Sequence, residues 1–226
     1  MSTDIAITTG FYRFLNWLET NRQRALTGVA AVAVLALVLS FYFWNLGQKK
    51  TEASQALSAI TRPDPDAFLK LAQQYPGGDV APRAVLLAAG DYFAAGRYTD
   101  AQTQFQRVLQ DYPDNPFRPE AYFGVAACAD AQGQTDAAIQ QYKDLIERYP
   151  AHYLIPQVRS ALARLYETSG KPELALPIYQ QQAREQSGTT LGMESNVRLQ
   201  ALLAQHPELA KTSAVSTPNP NPSQTP

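Results

Sequence analysis

Few residues in this chain are of the types that do covalent or metal chemistry, and their spacing argues against it. There are two histidines, His152 and His206, and one cysteine, Cys128. A structural zinc site takes four Cys or His ligands at characteristic spacing. Neither histidine has a cysteine or a paired acid at such a spacing, and both read as surface residues. A single cysteine forms no internal disulfide. Set in the apolar run YFGVAACA, Cys128 reads as a buried, inert thiol rather than a nucleophile. Asp64 and Asp66 alternate with prolines and lack the glycine and glutamate of a calcium loop, so helix capping is their expected task. Gly77-Gly78 is a lone turn, not a phosphate cradle. With no constellation for acid–base, nucleophilic or metal catalysis, the expectation is a non-enzyme without cofactor or metal.

Composition narrows the field further. Of 226 residues, 45% are hydrophobic and only 17% charged, with a net charge of -1. A nucleic-acid binder needs a basic footprint to release counterions, and none is present. The charged fraction falls below the roughly 25% of an average domain, so part of the chain avoids charge.

That part lies between Ala25 and Gln48, which contains no charged residue. A helix rises 1.5 Å per residue, so about 20 apolar residues cross a hydrocarbon core of about 30 Å. Residues 25–46 therefore read as an uncleaved transmembrane helix, with Phe41, Tyr42, Phe43 and Trp44 as an interfacial aromatic belt at one end. A cleaved signal peptide fits less well, because about 24 residues precede the core and bulky aromatics occupy the cleavage region. Residues 1–24 read as a short segment in which Phe11, Phe14, Leu15 and Leu18 share helical spacing. An interfacial helix and a short tail with anchoring aromatics both fit it. Arg13, Arg22 and Arg24 on one side balance Lys49, Lys50 and Arg62 on the other, so the positive-inside count gives no orientation.

Residues 49–206 read as a helical repeat domain with a period of 37. Gly96, Gly133 and Gly170 keep that spacing, as do Ala101, Ala138 and Ala175, and the aromatics Phe105, Tyr142 and Tyr179. Tyr75-Pro76, Tyr112-Pro113 and Tyr149-Pro150 repeat in the same phase and extend the array upstream to PDPDAFLKLAQQYP. Each unit reads as two helices. In the first, an Ala- and Leu-rich helix over 82–95 ends at Gly96, and Thr99 or Asp100 caps a second helix that Pro113 ends. Asp64-Pro65 reads as an N-cap followed by proline in the first turn. Small residues at 101, 138 and 175 let paired helices approach, and the aromatic four residues on fills the adjoining gap. Residues 194–204, with Val197, Leu199, Leu202 and Leu203, read as an amphipathic helix covering the end of the stack. Residues 207–226 are proline-rich and are expected to be a disordered tail.

The pattern resembles tetratricopeptide repeats: Gly96, Ala101, Phe105 and Pro113 fall on that family's marks, then Gly133, Ala138, Tyr142 and Pro150, then Gly170, Ala175 and Tyr179. Ser187 replaces the third proline, the usual Trp-x-x-Leu-Gly opening is absent, and the period exceeds 34 by three. The longer turn DNPFRPE accounts for the excess. The fold class expected is all-α, a single transmembrane helix followed by a tetratricopeptide-like solenoid of three to four helix pairs. The resemblance implies a groove lined by first helices. Its candidate residues are Leu86, Gly90 and Phe93, then Phe123, Ala127 and Asp130, then Ser160, Arg164 and Glu167. Such a groove takes an extended peptide, a helix or a partner domain; equally, Leu86, Phe93 and Phe123 fit a role as packing between repeats.

The anchor ending in FYFWN, followed by QKKTEASQAL and then Tyr-Pro repeats, resembles the bacterial YfgM-type family of single-pass inner-membrane subunits ancillary to the SecYEG translocon. The repeats alone resemble those of CpoB and of outer-membrane assembly lipoproteins. The first resemblance implies a cytoplasmic N-terminus, a periplasmic repeat domain, and translocon components, periplasmic chaperones or emerging polypeptides as partners. The second implies an envelope scaffold for outer-membrane assembly or cell division.

Overall fold

The computed structural model describes residues 20–210. The amphipathic stretch up to residue 19 and the proline-rich stretch from 211 lie outside the described residues. The chain divides into two compact units after Gln55.

The first unit is carried by α1, Arg22–Ala59, 38 residues long. Among the described residues it is the one helix long and apolar enough to cross a membrane. Its apolar side chains are exposed around the helix, Leu37 at 70% and Phe43 at 65%. A soluble core helix would bury them, and monomeric soluble proteins rarely show an apolar surface of this extent.

The second unit is all helical among the described residues. It comprises the end of α1, then α2 (Pro65–Gln74), α3 (Val80–Ala94), α4 (Tyr98–Asp111), α5 (Arg118–Ala131), α6 (Thr135–Arg148), α7 (Ile155–Thr168), α8 (Pro172–Glu185) and α9 (Thr190–Gln205). Each of α2 to α9 packs on its sequence neighbours, the pattern of a one-dimensional stack. The 37-residue phase holds throughout. Phe68, Phe105, Tyr142 and Tyr179 occupy one register position on the second helices, and all four are buried. Ala101, Ala138 and Ala175 are fully buried between the helices of their pairs, as close approach requires.

The turn inside each pair follows from one backbone requirement. Gly96, Gly133 and Gly170 have φ of 75°, 73° and 71°, a left-handed conformation that costs other residues about 1–2 kcal/mol. At that position the next amide bonds back five residues, as Arg97 N–H does to the Tyr92 carbonyl at 2.9 Å. The turn is therefore tight, and the sequence-based cap is corrected: α4 begins at Tyr98, with Arg97 at the N-cap and no side-chain cap. Thr99 and Asp100 lie within its first turn, where Asp100 pairs with Arg97 at 2.7 Å. Asp64 does cap α2, accepting from Ala67 N–H at 2.9 Å ahead of Pro65.

The longer turn between the first two complete units is held by side chains. Asn115 Oδ1 accepts from Phe117 N–H at 2.7 Å, and Arg118 donates to the Pro113 carbonyl at 2.8 Å.

α9 is longer than residues 194–204, because Thr189 caps it by accepting from Gly192 N–H at 3.1 Å. It is also in phase with the first helices. Val158, Leu165 and Ser169 become Ser195, Leu202 and His206 after another 37 residues. Leu202 is buried, whereas Val197 faces solvent at 68% exposure, on the side away from the stack. Gln200 stands exposed where Ala89, Ala126 and Ala163 are buried, a polar surface suited to a terminal repeat. Residues 207–210 add one helical turn, and Leu209 packs with the cluster around Leu202.

Candidate functional site

The first helices form the inner layer of the stack: α3 packs on α5 and α7 on α9, and no pair of second helices packs as closely. In a stack of this kind the exposed faces of the inner helices form the concave surface. Between α5, α7 and α9 this surface opens into a cleft of about 220 Å³, lined by Phe123, Gln157, Ser160, Arg164, Tyr179 and Arg198 among others.

The expected groove residues divide by location. Phe123, Ser160 and Arg164 line the cleft. Phe123 is half-buried, and its ring centroid lies 6.0 Å from that of Tyr142 beneath it. Asp130 and Arg164 meet as an ion pair across α5 and α7. Glu167 accepts a 2.7 Å hydrogen bond from the Tyr179 hydroxyl, and this carboxylate is therefore committed within the stack. Leu86 and Phe93 sit apart, at the α3 end, half-buried against the cluster of Ala89, Tyr92 and Phe105, with Phe93 edge-on to Tyr98 at 5.2 Å. Gly90 is exposed and Ala127 half-buried.

Burial sets the ionisation behaviour nearby. Burial and then the Asp130 carboxylate push the Tyr142 phenol up, while burial followed by the bond to Glu167 does the same for Tyr179. Both stay neutral donors at physiological pH. Burial pushes the Cys128 thiol up to about 11, in line with an inert core residue.

Several contributors to the site, Gln157, Ala161, Glu194, Ser195 and Arg198 on its lining and Gln182 beneath it, were not among the sequence candidates. Gln182 is buried at the register position of Val108 and Leu145. Its amide donates to the Pro156 carbonyl and its oxygen accepts from Ser160 Oγ at 3.3 Å and Ser195 Oγ at 3.4 Å. One buried side chain therefore ties α7, α8 and α9 together beneath the cleft. Glu194 and Arg198 come from α9, and Arg198 forms no ion pair among the described residues. Counting a further 37 from Ala161 reaches Arg198, but three glycine-marked units gave no reason to count a fourth.

Both histidines are partly exposed. Half-buried His152 lies 3.8 Å from Glu120, whose other contact is a 2.7 Å bond from the Tyr153 hydroxyl, and His206 lies 3.1 Å from Glu208. The fold brings Glu120 to His152, whereas Glu208 is a near neighbour of His206 in sequence. No group of three His, Cys, Asp or Glu capable of holding a metal occurs among the described residues.

Residues 81–151 and 129–190 each match a tetratricopeptide repeat family model. No curated protein sequence matches the chain. Among solved structures, the chain is similar to the nearly identical TPR-like repeats assigned to a kinesin light chain of Podosopora anserina, at 16% identity and a TM-score of 0.54. That match covers 74% of this chain and 90% of the other. BtubC (BKLC) from P. vanneervenii matches at 16% identity and a TM-score of 0.53, over 80% and 82%. At such identity the likeness establishes the fold alone, a tetratricopeptide-like solenoid. Solenoids of this kind present extended concave surfaces for protein binding.

Proposed function

We propose that this chain is a membrane-anchored protein–protein interaction module, with α1 as the anchor and the concave face of its solenoid as the binding surface. The observation that carries the reading is the cleft between α5, α7 and α9, where Phe123 meets Arg164 and Arg198 on the inner layer. An apolar wall beside cationic donors suits a polypeptide that offers both apolar and polar groups. Anchoring raises the effective concentration of the module towards anything else held at the same site.

The finer reading is an accessory factor of the Sec translocon in the bacterial inner membrane. Residues 1–24 then lie in the cytoplasm, 25–46 span the bilayer, and 49–206 bind periplasmic chaperones or emerging polypeptides. The YfgM-type character of the FYFWN-to-QKKTEASQAL region supports this choice over the CpoB-type alternative. The test is affinity purification of the full chain from membranes in mild detergent, with partner identification. Translocon components and periplasmic chaperones are the expected co-purifying set. Recovery of only outer-membrane assembly or division proteins overturns it in favour of an envelope scaffold.

A further inference from the structure

We propose that the chain's own proline-rich segment, centred on Pro218 to Pro222, docks in the cleft between α5, α7 and α9 and competes there with partner polypeptides. The inference rests on the reading of that cleft as the binding surface and adds a regulator of it.

Reach is the first argument. The described chain ends at residue 210, just past the C-terminus of α9, whose own Glu194, Ser195 and Arg198 line the cleft. Glu194 to Gln205 is eleven residues of helix, about 16 Å at 1.5 Å per residue. An extended proline-rich segment advances about 3.1 Å per residue, so five or six residues recover that distance. Even if helix ran straight from Glu194 to residue 210, about 24 Å, the eight residues 211–218 extended are about 25 Å, enough length for Pro218 to Pro222 to reach the cleft.

Complementarity is the second. Phe123 and Ala161 supply apolar and aromatic surface, the kind of wall against which prolyl rings pack. Gln157 and Arg198 supply donors for the carbonyls of a backbone that has no N–H at its prolines. The segment 212–226 carries no charged side chain, so neither Arg198 nor Glu194 repels it. Proline fixes φ in the free segment as well, which lowers the ordering cost of docking.

Intramolecular docking needs little intrinsic affinity. A short tether provides an effective concentration on the order of millimolar, so a segment that binds at about 1 mM in trans occupies its cleft about half the time in cis. Partner binding is weakened by the same fraction, so removing the segment tightens it about twofold.

The experiment compares amide NMR spectra of the isotope-labelled full chain in detergent with those of a chain ending at residue 210. A full-length chain with Pro218, Pro220 and Pro222 replaced by serine is measured alongside. The expected result is that Ser160, Arg164 and Arg198 resonances shift on truncation and in the serine variant. A synthetic peptide of residues 211–226 added at millimolar concentration restores them, and its serine counterpart does not. Changes confined to residues 205–210, or a serine variant indistinguishable from the full chain, overturn the proposal. Shifts that scale with protein concentration overturn it in favour of a second copy's segment in the cleft. Partner capture by the two lengths separates this inference from the reading beneath it. Equal capture with unmoved cleft resonances removes the docking segment alone, whereas cleft resonances that respond without any capture remove the partner-binding reading alone.

Discussion

Two glycines inside first helices answer oppositely to the same added methyl group. Gly90 and Gly124 both sit inside first helices, α3 and α5. An ideal Cβ at Gly90 meets nothing within 4 Å, so Gly90→Ala gains helix stability of roughly 0.5–1 kcal/mol. An ideal Cβ at Gly124 lies 2.5 Å from Cδ1, Cε1 and Cζ of Phe105. That ring is 7% exposed and hemmed in by Ala89, Tyr92, Ala101, Val125 and Cys128, so it has little room to retreat. Overpacking of this kind costs about 1–3 kcal/mol, which exceeds the helix gain in most of that range. Gly124→Ala is therefore expected to fall about 1–3 kcal/mol below Gly90→Ala. Urea unfolding of the full-length chain in detergent, followed by far-UV circular dichroism, reads the difference as a shift in midpoint. Replacing Phe105 by Leu in the Gly124→Ala background is expected to recover part of the loss, as a double-mutant cycle between touching residues should. If both alanines stabilise equally, the close approach of α5 to α4 is wrong, and with it the inter-repeat angle that curves the groove.

Other positions give further tests. Gln182→Leu restores the residue type of the preceding unit but leaves the Pro156 carbonyl without its donor, at an expected cost of about 1–3 kcal/mol measured by the same unfolding. Gly133→Ala, at φ of 73°, is expected to cost about 1–2 kcal/mol, and a neutral result would refute the left-handed turn. The contribution of the raised Cys128, Tyr142 and Tyr179 groups to stability is constant while pH stays well below their unfolded values of about 9 to 10. It then falls as pH rises to about 11, because the unfolded chain releases these protons first. Alkaline unfolding measured on the wild type and on Cys128→Ala checks this, and an unchanged profile above pH 9 contradicts it. A reporter active only in the periplasm, fused after Pro207, is expected to be active, and silence reverses the proposed orientation.

Much of the architecture is legible because the turn chemistry repeats. A glycine in the left-handed region, a small residue five positions beyond it and a buried aromatic four further on are each demanded by the geometry of one helix pair, and each recurs at 37. The fourth first-helix is hidden because its marks change type: Ser195 replaces a buried valine, and Pro207 stands where Gly170 would recur. Capping misled at Thr99 and Asp100 because the five-residue bond from Arg97 to Tyr92 shortens the turn and starts α4 early. The cleft itself is not readable from spacing. Asp130 and Arg164 are 34 residues apart, and Gln182 reaches across three helices, so both pairings depend on how successive repeats rotate against each other.

The central claim is that partners engage the concave face. A photoreactive residue at Phe123, in the cleft, is compared with one at Thr103, exposed on α4 among the second helices. Both are placed in the full chain in native membranes. The account predicts that position 123 captures a discrete set of polypeptides and position 103 does not. Equal capture from both positions, or capture from position 103 alone, contradicts it.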